Sequence, residues 1–118
     1  MATILADVGE NQIAQLVMDD VSHVAVGTGT TTAVNTDIKL QTETKRIAPT
    51  NRIRTTNQLL VRTFFANGDL PATAEEFGWF MNGTGTIDSG ELLVRTNLQF
   101  VKGSQDLFIT LQMDADRV

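Results

Sequence analysis

Along the 118-residue chain the spacing of apolar and polar positions changes once, near residue 20. Before it, Ile13, Leu16 and Val17 recur at the i, i+3, i+4 interval of one helix face. Glu10 to Met18 is therefore predicted to form a short helix, capped by Asp7 or Gly9. After it the pattern is that of strands. Val21 to Val26 is a short apolar run halted by Gly27-Thr28-Gly29, and Thr30 to Asp37 is small and polar, as a loop would be. Lys45 to Thr55 alternates loosely, with Ile47 and Ile53 separated by Pro49. Proline removes a ladder donor, so this strand is expected to lie at an edge or to bulge there. Leu59 to Ala66 is a firmer strand, ended by the turn signal Asn67-Gly68-Asp69.

Leu70 to Ala74 reads as a connecting loop and Glu76 to Met81 as a compact aromatic strand carrying Phe77, Trp79 and Phe80. Asn82 to Thr86 and Asp88-Ser89-Gly90 bracket a hairpin loop leading into Leu92 to Leu98. Lys102-Gly103-Ser104 then turns into a last strand, Leu107 to Met113, in which apolar and polar side chains alternate. Six or so short strands, about ten residues apart, predict an all-β domain: an antiparallel β-sandwich or jelly roll with one short N-terminal helix. A single domain over residues 1–118 is expected, with residues 1–20 as an N-terminal arm and short helix.

Composition agrees with this pattern. Seventeen threonines stand against six Phe, one Trp and no Tyr, and β-branched side chains favour extended backbone. Apolar residues make up 42% of the chain, enough for a core. No apolar run approaches the ~20 residues that span a bilayer, so no membrane association is expected. Met1 is followed by no basic region, so a signal peptide is not expected either. The absence of cysteine excludes disulfides, thiolate metal sites and a Cys nucleophile.

Charge changes the picture by position. The net charge is −5, but Lys39 to Arg62 holds six of the nine basic residues (Lys39, Lys45, Arg46, Arg52, Arg54, Arg62) and one acid, Glu43. The segment is thus +5 and the rest of the chain −10, which implies a basic stripe on an acidic body. A solvated face or cross-strand charge pairing is the plainest reading, and docking on an acidic protein surface is another. No nucleic-acid partner is expected, because the chain is acidic overall and no aromatics interleave the basic positions.

No set of residues reads as an enzyme site. Gly27-Thr28-Gly29 follows a strand, yet the third glycine of a dinucleotide fingerprint would fall at Thr32, and no P-loop lysine follows; a tight turn is expected. His23 is the only histidine. It has Asp19 and Asp20 nearby but lies in an apolar run, as a histidine satisfied within a sheet does. Glu75 and Glu76 are adjacent in a strand and point to opposite faces, so they cannot act as a pair. Asp114 and Asp116 share a face and leave ion binding open, with no third ligand in the sequence. Asn82-Gly83-Thr84 reads as turn chemistry, and Phe77, Trp79 and Phe80 as core. No cofactor is expected.

The order of these segments resembles a family of small virion structural proteins of tailed bacteriophages. His23-Val-Ala-Val-Gly-Thr-Gly-Thr-Thr31, followed by Asp37, Glu43 and Arg46, is similar to that family's opening "ALGTGTT" strand and turn with a "DTAL…E…R" stretch. Glu76-Phe-Gly-Trp-Phe80 resembles its "EAGLF" element. Gly90-Glu-Leu-Leu-Val-Arg95, then Phe100, Lys102, Asp106-Leu107 and Ile109-Thr110, resembles "GTMLAR…F…K…D.LTIT". Together these cover about residues 21 to 113. Phe77 departs from the pattern, standing where a small residue is usual.

The resemblance implies a virion location, either capsid decoration or a tail or collar-fibre role. The absence of Tyr, of a shaft repeat and of a coiled coil favours decoration: a cement protein bound to the major capsid protein and to copies of itself. A small ligand- or protein-binding β-module is the alternative from another class. Expected lattice contacts are the apolar Ile4, Leu5 and Val8, together with Arg52, Arg54 and Arg62.

Overall fold

The computed structural model describes residues 20–55 and 58–114. The helix expected over Glu10 to Met18 and the contact residues Ile4, Leu5 and Val8 lie outside them. Seven strands follow one another: β1 (Val21–Gly27), β2 (Glu43–Ile47), β3 (Asn51–Thr55), β4 (Gln58–Phe65), β5 (Thr73–Met81), β6 (Glu91–Val101) and β7 (Leu107–Asp114), with a 3-10 turn at Asn67–Asp69. They form a four-stranded sheet in the order β2-β1-β5-β6 and a three-stranded sheet in the order β3-β4-β7, every pair antiparallel.

The described residues form an all-β fold, and its two sheets share one core. Val24, Val26, Phe77 and Trp79 of the larger sheet pack with Val61, Phe65 and Ile109 of the smaller one. Two details depart from the sequence reading. Lys45 to Thr55 is two strands in different sheets, and Ala48-Pro49-Thr50 carries the chain from one sheet to the other. Leu70 to Ala74 is not wholly loop, because Thr73 pairs with Val101 and extends β5 backwards.

Strand alternation gives the larger sheet a second buried face. On β5, Phe77 and Trp79 point into the sandwich, while Glu76, Gly78 and Phe80 point out. The outward face is roofed by the long connection between β1 and β2, residues 28–42. Leu40 of this roof is 1% exposed and packs with Ala25, Phe80 and Leu92. Gly78 makes room for it, since a Cβ there would lie 2.7 Å from Leu40 Cδ2. The smaller sheet differs. Its outward face carries Ile53, Leu60, Arg62, Phe64 and Phe108 in register, and Phe108 is 60% exposed.

Candidate functional site

Beneath the roof lie two buried carboxylate–guanidinium clusters, both built on Gly27. In register Gly27 faces Glu43 on one side and Glu76 on the other, so two acids flank one glycine on the covered face. Each is neutralised by its own arginine.

Glu76 is fully buried. Its Oε2 accepts N–H bonds from Gly29 (2.7 Å) and Thr42 (2.8 Å). Its Oε1 accepts from the Gln41 N–H (2.8 Å) and Arg95 Nε (3.0 Å). The remaining Arg95 nitrogens reach Asp37 Oδ2 at 3.0 Å and the Thr31 carbonyl at 2.8 Å. Asp37 also accepts the Val34 N–H, and that bond, followed by Arg95, holds its carboxyl below the usual range. Asn97 closes the edge, accepting from the Ala33 N–H and donating to the Thr31 carbonyl. Gly27-Thr28-Gly29 thus belongs to a carboxylate cradle, and the carboxylate in it is the chain's own. A Cβ at either glycine would collide with Glu76.

The second cluster depends on a bulge. In an ideal strand Glu43 and Arg46, three apart, would face opposite ways. The register shift between Val26 and Gly27 skips Thr44 and brings both to the covered face. Arg46 donates two bonds to Glu43, at 2.6 and 2.7 Å, and others to the Ser89 and Thr84 carbonyls. Its Cζ lies 4.6 Å from the centre of the Phe80 ring. The Asp88 N–H completes the Glu43 carboxylate. The 82–90 loop is therefore tied down by one arginine and one glutamate.

His23 sits beside this cluster on β1. Contrary to the expectation of a satisfied histidine, its buried Nδ1 has no hydrogen-bond partner among the described residues. Burial, then the Arg46 charge, pushes its pKa below 6.5, so the ring is held neutral.

The basic residues do not make one stripe. Lys39 pairs with Asp88, Lys45 with Asp69 and Arg46 with Glu43, which is the charge-pairing reading. Arg52 faces Val61 in register and donates to the Val21 carbonyl at 2.7 Å, bridging the two sheets. Arg62 faces Asn51 and lies over the Phe108 ring on the opposite face. Arg54 is in β3, and its side chain lies outside the described ones, as do the Asp114 side chain and Asp116. Glu75 and Glu76 are not on opposite faces as an ideal strand would have them: the register shift between Ala74 and Glu76 leaves both on the outer side, where Glu75 accepts from Gln99.

Two clefts of about 340 and 380 Å³ share Asp37 and Arg95 in their walls. Both charges are already paired with each other, so neither cleft offers an uncommitted ionic group for a ligand. No cluster of three or more metal-ligating side chains occurs among the described residues. Sequence reasoning missed the two ion clusters because nothing in a linear spacing reveals that acids 33 residues apart flank one glycine. The only signal was the set of residues that carried the family resemblance. Neither a protein-family model nor a curated protein sequence matches the chain.

Proposed function

We propose that this chain is a structural protein of a tailed-phage virion, acting on the outer capsid surface as a decoration (cement) protein. One observation carries the reading. Positions singled out by the resemblance, scattered from Gly27 to Asp106, are the ones that fasten the loops to the sandwich. Gly27, Gly29, Asp37, Glu76 and Arg95 fasten the roof, while Glu43 and Arg46 fasten the 82–90 loop. Lys102 donates to the Asn67 and Leu70 carbonyls, and Asp106 accepts the Asn67 N–H. A motif set whose members have one structural task in this chain supports kinship of fold with those virion proteins.

The surface supports a binding role. The ionic groups under the roof are committed internally, whereas Ile38, Val101 and Phe108 stand well exposed. A small domain of this kind, set between neighbouring capsomers, adds buried area across their boundary. It stabilises the shell by binding the assembled state and not its separated parts.

The test is the stoichiometry of this chain relative to the major capsid protein in purified particles, by quantitative mass spectrometry. A ratio near one, or a simple fraction of it, is expected. A ratio of a few per cent or less would retire the cement mechanism and move the protein to the tail or collar.

A further inference from the structure

A sheet ends in strands whose outward N–H and C=O groups invite another strand unless something blunts them. Among the described residues the two sheets have four such edges, β2, β6, β3 and β7. Three are blunted. β2 is five residues long and bulged at Thr44. β6 carries an extra residue at each of its two register shifts with β5, and Thr31 and Ala33 of the roof are fastened to its Asn97. β3 is five residues long, begins just after Pro49-Thr50 and holds Arg52 and Arg54. β7 has none of these features. Its eight residues, Leu107–Asp114, stay in unbroken register with β4 and include no Lys, Arg, Pro or Gly, and their one charged residue, Asp114, stands at the end.

The side chains along this edge are also incompletely covered. Ile109 is buried in the shared core, whereas Leu107 and Leu111, on either side of it in the same row, pack against that core and stay half-buried. On the other face Phe108, Thr110 and Gln112 are exposed. A strand added here has to alternate in the same way, apolar towards the core and mixed outside. The β7 sequence does so itself. Laid antiparallel on a second β7 about Thr110, it sets Leu107 opposite Met113, Phe108 opposite Gln112, Ile109 opposite Leu111 and Thr110 opposite Thr110. The apolar row of one copy then runs on into that of the other, a favourable threonine pair lies at the centre, and the pairing ends before Asp114. Moving the centre to Leu111 would set Phe108 against Asp114 instead.

We propose that the outer edge of β7 pairs antiparallel with the same edge of a second copy of this chain, with Thr110 on the two-fold axis. The contact uses the same residues on both sides, so it closes at two copies. It joins the two three-stranded sheets into one continuous sheet. Main-chain hydrogen bonds hold it, and the apolar row sets its register.

The chain has no cysteine, so single cysteines report on this register. Opposite Cα atoms of an antiparallel pair lie about 4.5–5.5 Å apart, within reach of a disulfide. Thr110→Cys, in the full chain with oxidised glutathione, should therefore give a linked dimer. Gln112→Cys is also exposed and on the same face, but it would sit about 13 Å along the strand from its own counterpart. Alone it should link roughly tenfold more slowly or worse, and it should link readily when mixed with Phe108→Cys chains. Circular dichroism confirms that each variant is folded, and sedimentation equilibrium of the parent, from micromolar to near-millimolar concentration, should show monomer and dimer. A parent that stays monomeric throughout overturns the inference, and is the result expected if another segment of the chain occupies the edge. Equal linking of Thr110→Cys and Gln112→Cys also overturns it, since that is random collision or a different register. Dimerisation in solution is independent of where the chain works, so this outcome and the particle stoichiometry stand or fall separately.

Discussion

Replacing Glu76 by Gln keeps the shape of the side chain and reverses half of its hydrogen-bonding sense. Each carboxylate oxygen accepts two donors: the Gly29 and Thr42 N–H groups on Oε2, the Gln41 N–H and Arg95 Nε on Oε1. An NH2 group at either position confronts two donors and leaves both without an acceptor, at about 1–3 kcal/mol for each buried group. The lost charge also leaves Arg95, whose side chain is 3% exposed, with Asp37 as its sole remaining anionic partner among the described residues. Breaking a buried ion pair outright costs about 3–5 kcal/mol. Arg95 keeps Asp37 and the terms overlap, so we take about 3–4 kcal/mol for the whole change. That is a large share of the roughly 5–15 kcal/mol that holds a domain together.

Urea unfolding measures it. With a slope of about 1–3 kcal/mol per molar, typical of small proteins, the midpoint should fall by roughly 1–4 M at unchanged slope. Glu75→Gln is the control. It neutralises the adjacent acid, whose bond to Gln99 is exposed, and should move stability by no more than ~0.5 kcal/mol. A Glu76→Gln midpoint within about 0.5 M of the parent, or an equal shift in Glu75→Gln, would refute the cradle as the roof's fastening.

Two further outcomes follow from the second cluster. Arg46→Leu strands the buried Glu43 carboxylate and should cost about 3 kcal/mol. Adding Glu43→Gln should recover part of that loss, leaving the pair at least ~1 kcal/mol short of additivity, and strictly additive urea midpoints would contradict the pairing. His23 is held neutral by burial and by Arg46, with Glu43 opposing, so its folded pKa lies below its unfolded 6.5. As pH falls through 6.5 the unfolded chain takes up a proton that the native chain resists, and stability drops. His23→Gln should therefore lose less stability than the parent between pH 7.5 and 5.5, and equal losses in the two unfolding series would count against the assignment.

The strands were legible because apolar runs bounded by glycine, proline and asparagine leave few alternatives, and β1, β4, β6 and β7 fall within a few residues of their predicted spans. The partition between sheets was not. Lys45 to Thr55 reads as one loosely alternating stretch, and local periodicity carries no information about which neighbour each half will find. Pro49 was recognised as a break in the ladder, whereas its role is to pass the chain from one sheet to the other. Thr73 and Ala74 have too little apolar character to announce a strand, and their pairing with Val101 and Phe100 settles it. The roof was hidden for a different reason. Charged residues are expected at the surface, and these violate that rule by satisfying partners, Glu43 with Arg46 and Glu76 with Arg95.

Those buried charges explain what the motif residues can and cannot say. An ion pair of this kind contributes little net stability compared with well-packed apolar side chains, because desolvation offsets most of its attraction. What it adds here is position. Four donors converging on one carboxylate fix residues 28–42 over the sheet in a single arrangement, where apolar contact through Leu40 alone would allow sliding. Chains that share Gly27, Gly29, Asp37, Glu76 and Arg95 therefore have reason to share the roof. They need not share a partner, since none of these side chains is presented to one. Any difference in partner would lie with exposed residues that the motifs leave unspecified, and among the described ones Ile53, Arg62 and Phe108 share an open face. For this fold, substitutions under the roof therefore report on folding.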